Sequence, residues 1–166
     1  MVINHNLFVP DKKDYVMGEK PDVDCILCAV RDGHPQVKKL IVHETENFII
    51  SCNLFPFNSG HIMIYPREHI ECVRDLTHEQ VIELHDLQVE AMDIIEELYQ
   101  CGGFNIGYNI KAPSGGSIRH LHLHIIPRYD REIGLIDIIG GAKIIVEDPL
   151  ITLENLQKAY LEKSNK

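Results

Sequence analysis

No stretch of this sequence is apolar enough to cross a bilayer. The longest candidates, Ile133 to Ile139 and Ile144 to Val146, fall well short of the roughly 20 residues required, which excludes a helical membrane span. The first residues, Met1 to Asn6, have neither a basic start nor a long apolar stretch after them, so no secretion signal is expected. Positive charge is scarce: 16 basic residues against 25 acidic give a net charge of −9 with the histidines neutral. The pI near 5.5 excludes the basic footprint of a non-specific nucleic-acid binder. Five cysteines, an odd number without a secretion signal, argue against a disulfide framework and for reduced thiols in a cytoplasm. Internal repeats, low-complexity tracts and linkers are missing too. What is there is ordinary for a globular chain, 45% hydrophobic and 25% charged over 166 residues, the size of one compact domain. A nucleotide substrate stays admissible, because a local nest of donors binds phosphate even on an acidic protein.

Local patterns predict the elements. Residues 1–24 are irregular, broken by Pro10, Gly18 and Pro21. Cys25 to Arg31 suits a short helix ending at Gly33. Leu40 to His43 and Phe48 to Cys52 suit a hairpin, and His61 to Tyr65 a strand stopped by Pro66. Thr77 with Gln80 forms a capping-box signal, after which Val81, Leu84, Ala91, Ile94, Ile95 and Leu98 repeat at helical spacing as far as Gly102-Gly103. Phe104 to Asn109 and Arg119 to Ile126 read as strands joined by a Gly- and Ser-containing loop. Ile133 to Val146, with a break at Gly140-Gly141, reads as edge strands. Thr152 is expected to cap a last helix carrying Leu153, Leu156 and Tyr160. Strands and helices in this order, joined by short hairpin-like links, predict an α+β fold with an antiparallel sheet.

The chemistry concentrates in Arg119-His120-Leu121-His122-Leu123-His124-Ile125-Ile126-Pro127-Arg128. Side chains alternate along a strand, so three imidazoles share one face while Leu121, Leu123 and Ile125 share the other. The apolar face serves packing; a row of three histidines is more than a structural strand needs. Such a row is also how a strand holds zinc. Immediately upstream, Asn109 to Ser117 includes Ser114-Gly115-Gly116-Ser117, where small residues let backbone amides approach an anion. A flexible turn is the plainer meaning of those residues. A second loop, Asn53 to Gly60, is rich in polar and aromatic groups and feeds a fourth histidine, His61, into a strand.

The His-x-His-x-His run at His120 to His124 resembles the signature of the histidine-triad (HIT) family of nucleotide hydrolases and transferases. The resemblance extends to Asn53…Gly60-His61, Pro66…His69, Gly103-Phe104-Asn105-Ile106-Gly107 and the loop before the triad, covering most of Cys25 to Arg128. Gly18-Glu19-Lys20-Pro21 and Ile138 to Ile145 are similar to the branch that includes bacterial diadenosine tetraphosphate phosphorylases. The third triad member is His124, not glutamine, unlike the nucleotidyltransferase branch. Where the nearest branch tends to carry a tryptophan-led run after the triad, this chain has Tyr129 to Leu135, and it contains no tryptophan at all.

The resemblance implies one HIT-like domain over 1–166. Its core would be 25–128, with an N-terminal extension at 1–24 and a C-terminal strand and helix segment at 129–166. About five antiparallel strands would pack with one long and one C-terminal helix. It implies His122 as nucleophile toward an α-phosphorus, His124 as donor to phosphate oxygens, and His120 and His61 as supporting catalytic residues. Asn109, Gly116 and Ser117 match phosphate-contacting positions and Asn53 a ribose-contacting one. The plainer alternatives are a satisfied core histidine at His61 and a turn-shaping role for Asn53. The implied substrate is a dinucleoside polyphosphate, with no organic cofactor, in a cytoplasmic homodimer without nucleic-acid or membrane partners. A nucleoside phosphoramidase, a zinc hydrolase using the triad, and a non-catalytic nucleotide-binding protein are the alternatives. Cys25-Ile26-Leu27-Cys28 has the spacing of a zinc knuckle, though a lone CxxC also suits a redox pair or two buried thiols. The resemblance implies that Cys25 and Cys28 join His69 and His120 around a structural zinc.

Overall fold

The computed structural model describes residues 21–130, 132 and 147–165. The expected edge strands at Ile133 to Val146 lie outside the described residues, as does most of the N-terminal extension. Five strands form one antiparallel sheet: β1 Ile41–Glu44, β2 Phe48–Cys52, β3 Ile62–Pro66, β4 Gly103–Tyr108 and β5 Leu123–Arg128, in the order β1-β2-β3-β5-β4. Three α-helices accompany it among the described residues: α1 Ile26–Arg31, α2 His78–Tyr99 and α3 Pro149–Ser164. The architecture is the α+β antiparallel sheet with one long and one C-terminal helix that the sequence predicts.

Both faces of the sheet are covered, and alternation decides which residue goes where. Phe48, Ile50, Cys52, Ile62, Ile64, Leu123 and Ile125 point to one side. There they meet Leu84, Leu87, Ala91, Ile94 and Ile95 of α2 and Leu156 and Tyr160 of α3. On the opposite side Ile41, Ile49, Met63 and Tyr65 pack under Leu27 and Val30 of the short α1. This second cover is thin, and a cavity remains beside it.

Helix α2 begins as its sequence demands. The Thr77 hydroxyl accepts from the Gln80 amide at 3.2 Å, and the Gln80 side chain accepts from the Thr77 amide at 2.9 Å. Its end differs from expectation. Gln100, not a glycine, takes the left-handed turn at φ +52°, and Gly103 already belongs to β4. The chain must reverse within three residues, because the Gly102 amide pairs with the Arg128 carbonyl at 2.8 Å. Val81 and Leu98, expected in the core, are 48% and 42% exposed, because they sit in the two end turns of the helix. The last helix is capped by Asp148, whose carboxylate accepts from the Leu150 amide at 2.8 Å, with Pro149 at the first helical position. Thr152 is not the cap: it is buried within α3, and its hydroxyl donates to Glu147 at 2.5 Å.

The triad segment also departs from a single strand. Sheet pairing begins only at Leu123 and runs through Pro127 to Arg128. β3 pairs with β5 only from Ile62↔Ile125 to Ile64↔Leu123, while its last residues, Tyr65 and Pro66, continue against Ile49 and Phe48 of β2 alone. Leu121, just before β5, bonds instead to the chain beyond β3: its amide donates to the Ile70 carbonyl at 2.6 Å.

Candidate active site

His61, His122 and His124 come together, and with His120 all four histidines of interest are nearly sealed from solvent: His61 1%, His120 2%, His122 5% and His124 9% exposed. His124 stands in β5 opposite Met63, on the thinly covered face. The His122 ring lies edge-on to the His124 ring at 4.7 Å between centroids. His61, the residue before β3, backs His124 from behind, its Nε2 lying 3.0 Å from His124 Nδ1.

Hydrogen bonds settle where each imidazole carries its proton. The Phe57 amide donates to His61 Nδ1 at 3.0 Å, so the His61 proton sits on Nε2 and is donated to His124 Nδ1. That leaves the His124 proton on Nε2, pointing away from His61. His122 Nδ1 lies 2.7 Å from the His120 carbonyl, which can only accept, so His122 donates there and keeps a lone pair on Nε2. His120 Nε2 donates likewise to the Pro66 carbonyl at 2.9 Å and keeps its lone pair on Nδ1. Burial holds these rings neutral. It pushes His61 down to about 3, with His124 and His122 adding to the effect, and His124 down to about 4, with His122 adding. Burial also lowers His122, against the opposing pull of the His120 carbonyl. A neutral imidazole with a free lone pair and a neutral N–H donor therefore stand side by side, an arrangement that could serve attack on an electrophile that gains negative charge.

Both open into a cavity of about 470 Å³. Asn53, Asn109 and Ser117 line its polar end, while Leu27, Phe55 and Met63 belong to its apolar wall. Gly115 lines the cavity at φ +88°, a conformation that favours glycine. Gly116 is needed for space: a Cβ there would fall 2.8 Å from the Asn109 carbonyl oxygen and 3.0 Å from that of Lys111. Lys111 takes φ +68°, ψ 163°, a backbone region that costs a non-glycine residue about 1–3 kcal/mol. The sequence did not single out the Phe57 amide, Leu27 and Met63 of the apolar wall, or Lys38, which also borders the cavity. No residue pattern marks a backbone amide, and the wall joins Leu27 of α1 to Met63 of β3 and Phe55 of the loop between β2 and β3.

His120 turns away from the cavity toward a separate cluster. Its Nδ1 lies 3.4 Å from Cys25 Sγ and 3.5 Å from Cys28 Sγ, and Cys28 Sγ lies 3.4 Å from His69 Nδ1. All four ligand atoms fall within 4.8 Å of one another. A tetrahedral zinc at ordinary bond lengths sets neighbouring sulfur and nitrogen about 3.5 Å apart, which the three sulfur–nitrogen distances of 3.4, 3.4 and 3.5 Å match. Burial, with the Cys25 thiol adding to it, pushes the Cys28 thiol up to about 11, so a thiolate pair here needs a cation beside it. All five cysteines are free.

A family model described as "Scavenger mRNA decapping enzyme C-term binding" matches residues 24–134. An AP-4-A phosphorylase of Mycobacterium tuberculosis is 38% identical over 94 residues, which cover 56% of this chain and 48% of that protein. A bis(5'-nucleosyl)-tetraphosphatase [asymmetrical] of Schizosaccharomyces pombe is 28% identical over 87 residues, 52% of this chain and 48% of that protein. The chain thus spans about half the length of these two curated relatives. A zinc-bound histidine triad family protein from Mycobacterium smegmatis superposes with a TM-score of 0.69 at 21% identity, covering 86% of this chain and 96% of its own. With the matched region enclosing the metal-type cluster, both loops and every triad histidine, the chain belongs to the histidine-triad family.

Proposed function

We propose that this protein cleaves dinucleoside polyphosphates at the α-phosphate through a nucleotidyl-histidine on His122. The observation that carries this reading is the His122 Nδ1–H bond to the His120 carbonyl, which leaves a neutral Nε2 lone pair facing the cavity beside the His124 N–H. The Nε2 lone pair attacks the α-phosphorus. The bond from phosphorus to the bridging oxygen breaks, and the remaining nucleoside polyphosphate leaves with the electron pair. His124 donates to a phosphoryl oxygen as charge builds in the transition state, and His61 holds it in that state. Water or phosphate then attacks the same phosphorus, the P–N bond breaks, and His122 recovers its lone pair. Asn109, Gly116 and Ser117 border the phosphate, and Asn53 the ribose, while the apolar wall takes the base. The names of the two curated relatives, a phosphorylase and a tetraphosphatase, support this substrate class.

The experiment uses diadenosine tetraphosphate in isotope-labelled water, with and without inorganic phosphate, followed by mass spectrometry. Labelled AMP with ATP marks a hydrolase; ADP with ATP formed only when phosphate is present marks a phosphorylase. An untouched dinucleotide, with a nucleoside phosphoramidate cleaved under the same conditions, would overturn the substrate assignment in favour of P–N bonds.

Cys25, Cys28, His69 and His120 would hold a structural zinc, with all four positions filled by protein. The donor set and its spacing support this, as does the zinc-bound relative of the same fold. A homodimer is supported by β4, an edge strand whose outer side pairs with nothing among the described residues, and by Leu98 and Ile106, exposed near that edge. Light scattering that returns the 19.0 kDa chain mass at micromolar concentration would overturn the dimer. Free thiols, and the lack among described residues of a helix long and apolar enough to span a membrane, suit a cytoplasmic setting.

A further inference from the structure

The loop that leads into His61 is bolted down by side chains that have no part in the chemistry described above. Asn58 is buried, and its Nδ2 donates to the Pro127 carbonyl at 2.8 Å and to Glu132 Oε1 at 2.5 Å. The same Glu132 oxygen accepts from the Tyr129 amide at 2.8 Å, and the other pairs with Arg128 at 2.5 Å. One residue on, the Ser59 carbonyl accepts from the Tyr129 hydroxyl at 2.9 Å. Gly60 follows at φ +78°, so close to Pro127 that a Cβ would lie 3.1 Å from its ring. Residues 58–60 are thereby fastened to the end of β5, the strand that carries His124.

The residue just before Asn58 is Phe57, whose amide selects the His61 tautomer. Nothing inside the His61–His124 pair makes that selection. With the proton on His61 Nδ1, the pair would keep one hydrogen bond and the same charge, but its direction would reverse. His124 would donate inward and offer the cavity a lone pair in place of an N–H. Only the position of the Phe57 amide separates the two states, and that position is held from the neighbouring residue.

We propose that Asn58 and Glu132 are positioning residues, a buried clamp that keeps the Phe57 amide on His61 and so makes His124 a donor toward the substrate phosphate. This rests on the role given to His124 above, and the two stand or fall by different measurements. Long-range proton–nitrogen NMR of the full chain at neutral pH reads the tautomers; steady-state kinetics with diadenosine tetraphosphate reads their use. Wild type should show His61 and His124 both protonated at Nε2. Asn58→Ala and Glu132→Ala should each bring up the second tautomer and lower kcat about 10-fold or more, with KM changed less than about threefold, because the lost donor acts on the transition state. Glu132→Gln keeps an acceptor oxygen in place and should restore both tautomer and kcat. Should Asn58→Ala fail to fold, Glu132→Ala and its rescue by glutamine carry the test. Folded alanine variants with wild-type tautomers would overturn the clamp. A changed tautomer with unchanged kcat would overturn the donor role of His124 instead.

Discussion

His122 and His124 sit in one strand-like run, two residues apart, yet one offers a lone pair and the other an N–H. If His122 supplies the attacking pair, His122→Ala should leave the fold intact and lower kcat by several orders of magnitude while nucleotide affinity falls far less. A variant keeping more than about a tenth of wild-type turnover would rule this out, since that residual corresponds to only about 1.4 kcal/mol of barrier. His61 and His124 make a second prediction through their depressed values of about 3 and about 4. Between those values and the ordinary 6.5, the unfolded chain binds protons that the folded chain refuses, so stability rises with pH. Above about 6.5 this contribution is flat; below it, stability falls by up to about 1.4 kcal/mol per pH unit for each imidazole. Denaturant unfolding at pH 7 and pH 5 checks the sign; equal stability at both would contradict it. The spacing of the histidines was legible in the sequence because side-chain alternation is a local rule. Which nitrogen holds the proton was not, since that depends on Phe57, Pro66 and the His120 carbonyl, which only the fold brings into range.

At the scale of elements, helix α2 shows how far a local signal reaches. Both bonds of its capping box are formed, so Thr77→Ala should cost about 1 kcal/mol and lower the melting temperature without changing kinetics, because the cap is remote from the cavity. An unchanged melting temperature would mean that the helix start is held by packing alone. The β1–β2 hairpin, β3 and, through Leu84, Ala91, Ile94 and Ile95 but not Leu87, most of the core face of α2 were readable from period and turn residues. The end of α2 and the start of α3 were not. Gln100 turns left-handed because β4 must begin beside Arg128, and Asp148 displaces Thr152 as cap because Pro149 sets the first turn one residue after it. The triad strand is the most instructive departure. Alternation placed Leu123, Ile125 and His124 on the proper faces, but pairing with β3 stops at Ile64↔Leu123, two residues before β3 ends, and the freed stretch turns His120 toward the cysteines.

Across the whole molecule, the cysteine-histidine cluster ties α1, the chain after β3 and the triad run into one knot. One zinc per chain is the expected elemental analysis. Its removal by a chelator should lower the melting temperature more than it lowers nucleotide affinity, because the ligands lie outside the cavity apart from the shared backbone at His120. Metal-free protein with Cys25 and Cys28 freely reactive to a thiol reagent would defeat this. The protonation pattern, for its part, is dictated by the Phe57 amide, the His120 carbonyl and the Pro66 carbonyl. All three are main-chain groups. No side-chain replacement deletes a carbonyl, and only proline deletes an amide. Evolution can therefore exchange the side chains at 57 and 66 while the amide and carbonyls that instruct the imidazoles are inherited unchanged, provided the side chains that fix the path of the backbone, Asn58 and Glu132 among them, stay in place.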